Sequence, residues 1–212
     1  MKKLLILTVA AVACFIIGCK SGGSDDYFPM TVGSQWDYSG YMLYGTTTPP
    51  TDTLQTMTTS TVAQAKTILT SGEEVVPFQT TTISHTTFPI AMTDTSIGMS
   101  YVRESGDVIL SYDTLNTTIP DTLLVLPLEA NKTWHNGPNS TALVVGQEDV
   151  TVAAGTYKNS WKIKYTTVSG SDTMEMFQWF AKGVGGVKTH YEASQSGYNM
   201  IYNQELTSST IK

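Results

Sequence analysis

From residue 35 onward, the chain contains many segments in which apolar and polar residues alternate one by one. This period of two limits the folds that the chain can adopt. The stretch Trp161-Lys162-Ile163-Lys164-Tyr165 is the clearest case, because large apolar side chains stand at every second position. Successive side chains of a β-strand point to opposite faces, so this pattern predicts a strand with one buried face. No window of the sequence shows the sustained 3.6-residue period of a helix, and threonine, which favours strands, supplies about one residue in six. The sequence therefore predicts an all-β fold.

The turn residues between these segments indicate how the strands connect. Ser71-Gly72, Ser105-Gly106 and Ala154-Gly155 separate apolar stretches at short intervals. The predicted strands cover residues 35–44, 54–69, 74–87, 97–104, 107–112, 122–128, 141–153, 161–166, 173–182, 187–193 and 198–206. Pro49-Pro50 interrupts the first hairpin, so residues 46–59 are predicted to be a mobile loop or an edge strand. Short connections pair neighbouring strands, which predicts a single antiparallel up-and-down sheet of roughly ten strands, curved into a half-open barrel.

The amino-terminal residues predict export and lipidation. Lys2 and Lys3 precede an apolar run over residues 4–17, which is too short to cross a bilayer of about 30 Å as a helix and has the layout of a signal peptide. Ile16-Ile17-Gly18-Cys19 resembles the lipobox of bacterial lipoproteins, which implies cleavage between Gly18 and Cys19 and lipid attachment to the Cys19 thiol. We therefore expect residues 1–18 to be a signal peptide, 19–26 the lipidated cysteine with a flexible tether, and 27–212 one all-β domain.

The mature chain is predicted to be acidic and bound to a membrane through its lipid. Removing residues 1–18 discards two lysines, so the net charge of −6 becomes about −8, which argues against nucleic acid as a partner. Cys14 leaves with the signal peptide and Cys19 carries lipid, so the domain has no cysteine for a disulfide. Lys20 follows the cysteine, whereas Asp at this place retains enterobacterial lipoproteins at the inner membrane. The prediction is a location in the bacterial cell envelope, at the outer membrane.

Residues that could support catalysis or bind a metal are few. His85, His135 and His190 stand alone rather than at the spacings of a metal site. The run from Gly183 to Gly186 precedes a strand rather than a helix, which favours a turn over phosphate binding. We predict no catalytic residue, no metal, no cofactor and no enzymatic activity.

One late strand carries apolar side chains on both faces. Phe177 and Trp179 project to one side, and Met174, Met176 and Phe180 project to the other. Since a sheet with one buried face needs only one apolar row, something must cover the second row or a cavity must border it. The residues predicted to bind an apolar ligand are Trp36, Met174, Met176, Phe180 and Met200. An interior filled by the protein's own side chains remains the alternative.

Two motifs resemble those of a set of uncharacterised bacterial lipoproteins. The first is YFPMTVGSQWDY at residues 27–38, and the second combines AGTY at 154–157, WKIKY at 161–165 and WFAKGVGGVK at 179–188. The resemblance covers nearly all of the mature chain, to about Tyr191. It implies a curved antiparallel sheet like the half-open barrel of the lipoprotein carriers LolA and LolB. It implies no catalytic residues, and Gly186 stands where the relatives often have leucine.

These observations lead to a functional hypothesis with two rivals. The hypothesis is a non-enzymatic, membrane-anchored envelope lipoprotein that binds a lipid, a lipoprotein or another amphiphile in the concave face of the sheet. The rivals are a surface or scaffolding module that contacts protein or glycan, and an enzyme of unrecognised type. The sequence does not indicate which protein partners it would have.

Overall fold

The regular structure consists of β-strands throughout the part of the chain that the computed structural model describes. The described residues are 27–46, 50, 52–87, 91–169, 172–195 and 198–212. Their strands are β1 (Gln35–Gly45), β2 (Asp52–Ala63), β3 (Thr67–Ile68), β4 (Glu74–Thr86), β5 (Met92–Ser105), β6 (Val108–Tyr112), β7 (Asp121–Val125), β8 (Thr133–Gly137), β9 (Ser140–Val152), β10 (Gly155–Ser169), β11 (Asp172–Ala181), β12 (Gly185–Gln195) and β13 (Tyr198–Thr210). The predicted signal peptide, Cys19 and the tether lie outside the described residues.

The strands form one antiparallel sheet in which most neighbours along the chain are also neighbours in space. The order is β7-β6-β5-β4-β2-β1-β13-β12-β11-β10-β9-β8, and β3 pairs with β4. The first and last strands pair with each other, with Gln35 opposite Thr210. The sheet curves until β7 and β8 come together, so the barrel is nearly closed. The predicted all-β, antiparallel and curved sheet is confirmed, with thirteen strands instead of roughly ten.

The strand count differs because turn residues hide or divide some strands. Residues 54–69 were predicted to be one strand, but β2 ends at Ala63 and β3 is a separate pair of residues. β8 lies in a segment rich in Asn, Gly and Pro, yet Trp134 packs against the core. The prediction for residues 46–59 is wrong over residues 52–59, because they belong to β2, which pairs on both sides with β1 and β4.

The hydrophobic core fills the end of the barrel at which β1 begins and β13 ends, which we call the closed end. Inward side chains such as Val102 and Leu206 are at most 1% exposed there. Residues 27–30 pack across this end, and the Phe28 ring lies 5.5 Å from the Phe78 ring. The buried apolar surface at the closed end therefore supplies much of the driving force for folding.

The opposite end is less filled. At this end β1, β4, β10 and β12 finish, and the strands that follow them, β2, β5, β11 and β13, begin. We call it the hairpin end. Inward-facing side chains near it are accessible, since Tyr44 is 38% exposed and Met174 is 42% exposed. Among the described residues, the interior is therefore tightly packed at the closed end and more accessible toward the hairpin end.

The seam of the barrel is the place where β7 and β8, the first and last strands of the sheet order, come together. Side-chain hydrogen bonds join β7 to the strands on the other side of this seam. Within the described ranges no strand ladder pairs β7 with β8. The Trp134 indole Nε1 donates to the Thr122 carbonyl oxygen at 3.0 Å, and the Tyr165 hydroxyl donates to the Leu123 carbonyl oxygen at 3.0 Å. Leu123 is skipped in the register between β6 and β7, as the extra residue of a β-bulge is. Within the described residues, two aromatic donors thus bond to the main chain of β7 at the seam.

Candidate functional site

A cavity of about 600 Å³ lies inside the barrel, between the core of the closed end and the hairpin end. Its lining comes from β1, β2, β4 to β7 and β10 to β13, with Phe28 and Pro29 from the segment at the closed end. Ligand sites in proteins usually have volumes of about 300 to 1,000 Å³. The cavity is therefore large enough for a small organic molecule.

One wall of the cavity is made mainly of aromatic rings, and we call it the aromatic wall. Its residues, on β1, β10, β11 and β13, are Trp36, Tyr38, Tyr165, Phe180 and Tyr202. Trp36 is 5% exposed, and its indole Nε1 donates to the Val184 carbonyl oxygen at 2.6 Å. This bond ties β1 to the turn before β12. The rings offer flat apolar surface together with phenol groups at the cavity.

The wall formed by β2, β4, β5 and β6 bears hydroxyl groups, and we call it the hydroxyl wall. Its residues are Thr59, Thr61, Thr80, Thr82, Ser100 and Ser111, with Met57 and Phe78 at the two ends of the row. Thr59 pairs with Thr82 across β2 and β4, and their hydroxyl oxygens are 3.2 Å apart. Thr61 and Thr80 form the next inward pair, with 3.0 Å between their hydroxyl oxygens. Such cross-strand hydroxyl pairs also stabilise the sheet.

The described lining of the cavity combines apolar and neutral polar side chains, and none of its residues directs a charged group into the cavity. Lys188 borders it, but its Nζ lies on the outer face, 2.8 Å from Glu205 Oε1 and 5.7 Å from the centre of the Trp179 ring. Burial raises the pKa of Tyr38 and of Tyr165 above their ordinary value of 10.0. Both phenols are therefore neutral hydrogen-bond donors at neutral pH.

Gly186 leaves room at one side of the cavity. The Tyr38 hydroxyl donates to the Gly186 carbonyl oxygen at 3.0 Å. A Cβ atom added to Gly186 would meet only that hydroxyl, at 3.9 Å, which is an ordinary contact distance. A larger side chain at this position would therefore enter the cavity without a backbone clash.

The structure brings together two of the five residues predicted to bind a ligand. Trp36 and Phe180 both line the cavity. Met176 packs against the core beside Tyr165, its partner across β10 and β11. Met174 and Met200 share the inner face but lie nearer the hairpin end, outside the cavity lining.

The second apolar row of β11 is covered by lysine side chains on the outer face. Lys162 Nζ lies 4.9 Å from the ring centres of both Phe177 and Trp179. Lys188 approaches Trp179 from the opposite neighbouring strand, and Trp179 is only 6% exposed. Lysine stems can cover apolar surface while the ammonium stays in water, and the ammonium is attracted to aromatic faces. The outer row therefore needs no ligand to cover it.

The hydroxyl wall is the part of the site that the sequence reasoning missed. The signal was available in Thr59 and Thr61, and in Thr80 and Thr82, because each pair is two residues apart and shares a face. Phe78 is 5% exposed and precedes Thr80 by two positions, which places the row on the inner face.

The three histidines do not form a cluster. His85 lies on β4, His135 on β8 and His190 on β12. Among the described residues, no three His, Cys, Asp or Glu side chains are close enough to hold a metal ion. The same part of the chain contains no helix with the length and apolar character needed to span a membrane.

Comparisons with known proteins give similarity at the level of structure alone. No protein-family model matches the chain, and no curated protein matches it significantly. Two solved structures are similar: a putative lipoprotein from Parabacteroides distasonis and a putative exported protein with a YmcC-like fold from Bacteroides fragilis. Each is 14% identical, with coverage of 87% of this chain and 99% of the other and a TM-score of 0.49. These values transfer no function, and the resemblance to LolA and LolB stays a prediction.

Proposed function

We propose that this chain is a lipid-anchored protein of the bacterial cell envelope, located at the outer membrane, that binds an apolar or amphiphilic ligand inside its barrel and catalyses no reaction. The anchoring rests on the sequence, in which a basic start and an apolar run precede Cys19. The ligand binding rests on one observation above all, the cavity of about 600 Å³ between the aromatic wall and the hydroxyl wall. A lipid, or the acyl chain of another lipoprotein, is the kind of ligand that the resemblance to LolA and LolB suggests.

The position of the amino-terminal segment suggests how the barrel is oriented on the membrane. The domain begins at Tyr27, and the residues that follow pack at the closed end. The seven residues between Cys19 and Tyr27 reach at most about 25 Å when extended. A strand of eleven residues such as β1 is about 35 Å long. The closed end would therefore face the membrane, and the hairpin end would face away from it.

The anchoring is tested by replacing the cysteine that would carry lipid. Cys19→Ser is expected to abolish incorporation of labelled palmitate and to leave an unprocessed or soluble protein. Cys14→Ser is the matched control, because Cys14 lies in the segment that cleavage would remove, and it should incorporate label like the unaltered chain. Label on the Cys19→Ser protein would show that the anchoring proposal is wrong.

The ligand binding is tested with a form that begins at Lys20. Every contact described above lies within residues 27–212, so this soluble form retains all of them. The probe is N-phenyl-1-naphthylamine, an uncharged dye whose fluorescence rises in apolar surroundings, and saturable binding near one dye per chain is expected. Gly186→Leu should weaken saturable dye binding by occupying part of the cavity, whereas Ser39→Leu, on the exposed outer face of β1, should leave it unchanged. A linear, non-saturating signal from the unaltered protein would refute the proposal.

A second candidate, a module that contacts another protein, is favoured by the edge of β5. β6 pairs only with residues 101–105 of β5, so in the described part of the chain residues 92–100 have a strand partner on one side only. Ile97 is 65% exposed and Met99 is 40% exposed on the outer face of this edge. Unprotected edges of this kind accept an extended segment of another protein as an additional strand. Ile97→Lys should abolish capture of such a partner from solubilised envelope while dye binding persists, and unchanged capture would count against this candidate.

A further inference from the structure

The hydroxyl wall retains hydrogen-bonding capacity after its own pairs are formed. In the pairs Thr59–Thr82 and Thr61–Thr80, one hydroxyl hydrogen is shared between the two oxygens. Each pair therefore keeps a second hydrogen that can be donated and lone pairs that can accept. Thr59 is only 8% exposed, so these groups face a partly enclosed space in which a matching polar partner is favourable.

The same cavity offers no cation to balance an anion. In its described lining, the only basic residue is Lys188, whose ammonium group lies on the outer face and binds Glu205. A carboxylate or phosphate placed inside would lose hydration without gaining an opposite charge, which is costly. The negative charge of the whole chain adds to this disadvantage, since the net charge is −6.

The two walls also differ in chemistry, so each suits a different part of a ligand. β1, β10, β11 and β13 present the aromatic wall, whereas β2 and β4 to β6 present the hydroxyl wall. Gln178 and Gln204 add neutral amide groups to the border of the aromatic wall. An apolar chain or ring fits against the aromatic side chains, while a neutral polar group fits against hydroxyls and amides.

We infer that the ligand is an uncharged amphiphile with a hydroxyl-bearing polar group, of the chemical class of a monoacylglycerol, in preference to a fatty-acid anion or a phospholipid. This inference rests on the proposed ligand binding and specifies its chemistry. The apolar portion lies along Trp36 and Phe180, and the hydroxyls of the head group bond to Thr61 and Thr80. The absence of charge on the ligand is what distinguishes it from most lipids of an envelope.

The test compares two ligands that share one acyl chain. 1-Monolauroylglycerol and laurate are titrated at pH 8, below their micelle concentrations, into the form that begins at Lys20 with bound N-phenyl-1-naphthylamine. The uncharged glyceride is expected to displace the dye at a concentration at least tenfold lower than laurate does. Laurate displacing the dye equally well or better would overturn the inference while leaving the proposed ligand binding intact. Displacement by neither ligand, together with no saturable dye binding, would instead remove the proposed function itself.

Isosteric variants locate the polar contact. Thr61→Val and Thr80→Val keep the shape of the side chain and remove its hydroxyl, so each should weaken displacement by 1-monolauroylglycerol about fivefold, as expected for one lost hydrogen bond. Displacement by laurate should remain unchanged. Thr81→Val is the matched control, because Thr81 faces outward between the two inward threonines of β4. The assignment of the head group to this wall would be overturned if the glyceride bound to both variants, Thr61→Val and Thr80→Val, as tightly as to the unaltered protein.

Discussion

The seam of the barrel gives a sharp prediction, because the Tyr165 hydroxyl on β10 bonds to the main chain of β7. Tyr165 is 4% exposed, and its hydroxyl donates to the Leu123 carbonyl oxygen at 3.0 Å. Leu123 is the extra residue of the bulge in β7, so it has no paired residue opposite it on β6. Tyr165→Phe removes the donor and leaves the ring in place. The substitution therefore isolates the hydrogen bond across the seam.

The expected loss of stability follows from the burial of the two groups. A buried acceptor left without its donor costs about 1 to 2 kcal/mol, toward the lower part of the usual range because the adjoining cavity can admit water. For a domain of this size, 1 kcal/mol lowers the melting temperature by about 2 to 4 °C. Tyr165→Phe should therefore lower it by about 2 to 8 °C, measured by circular dichroism on the form that begins at Lys20.

A second variant and a control decide whether the seam is responsible. Tyr41→Phe removes a hydroxyl from an outer-face tyrosine that is 39% exposed, and it should change the melting temperature by less than 2 °C. Trp134→Phe removes the other donor at the seam, and its effect should be non-additive with that of Tyr165→Phe, because both bonds restrain the same strand. Strictly additive effects, or a Tyr165→Phe protein that melts with the unaltered one, would refute the reasoning.

Three further predictions concern stability. Burial raises the pKa of Asp37, but hydrogen bonds from Gln35, Ser60 and Ser208 together outweigh it and lower the pKa below 3.8. The stability that this carboxylate provides is therefore present above pH 3.8 and is lost as the pH falls further. Asp37→Asn should flatten that part of the curve of melting temperature against pH. Gly40→Ala should cost about 1 to 3 kcal/mol in urea unfolding, since its Cβ would lie 2.6 Å from a backbone oxygen, whereas Gly98→Ala, with nothing within 4 Å, should not destabilise the protein. Lys162→Ala should lower the free energy of unfolding by about 1 kcal/mol and Lys162→Met by less, because methionine keeps the apolar stem; equal losses would show that the stem contributes nothing.

Much of the strand layout could be predicted because period and turn residues are local properties. Gly106 and Gly155 were expected at turns, and both adopt positive φ angles, of 61° and 137°, that other residues rarely accept. The strand around Ile163 was expected to bury one face, and Ile163 is fully buried. β8 could not be predicted in this way, because it is short and its stability depends on Trp134 reaching across the seam to β7.

The meaning of the two apolar rows on β11 could not be predicted, because it depends on register between strands. Trp179 lies opposite Lys162 on one side and Lys188 on the other. The sequence shows each lysine within an alternating strand, but it does not show which residue stands beside it. Two apolar rows on one strand indicate either a covered second row or a bordering cavity, and the pairing of the strands is needed to identify the lysines that cover the outer row.

Alternation predicts the face on which a residue lies but not its depth in the barrel, and this difference accounts for the predicted ligand-binding residues that lie outside the cavity lining. Met200 shares the inner face with Leu206, but Leu206 is buried in the core and Met200 lies near the hairpin end. Threonine gives the opposite difficulty, since a run such as Thr80-Thr81-Thr82 has the same residue on both faces and shows no period. The buried Phe78 resolves it, because positions two and four residues further along a strand must share its face. A buried aromatic residue at the start of a polar run can therefore reveal which hydroxyl groups border an interior cavity.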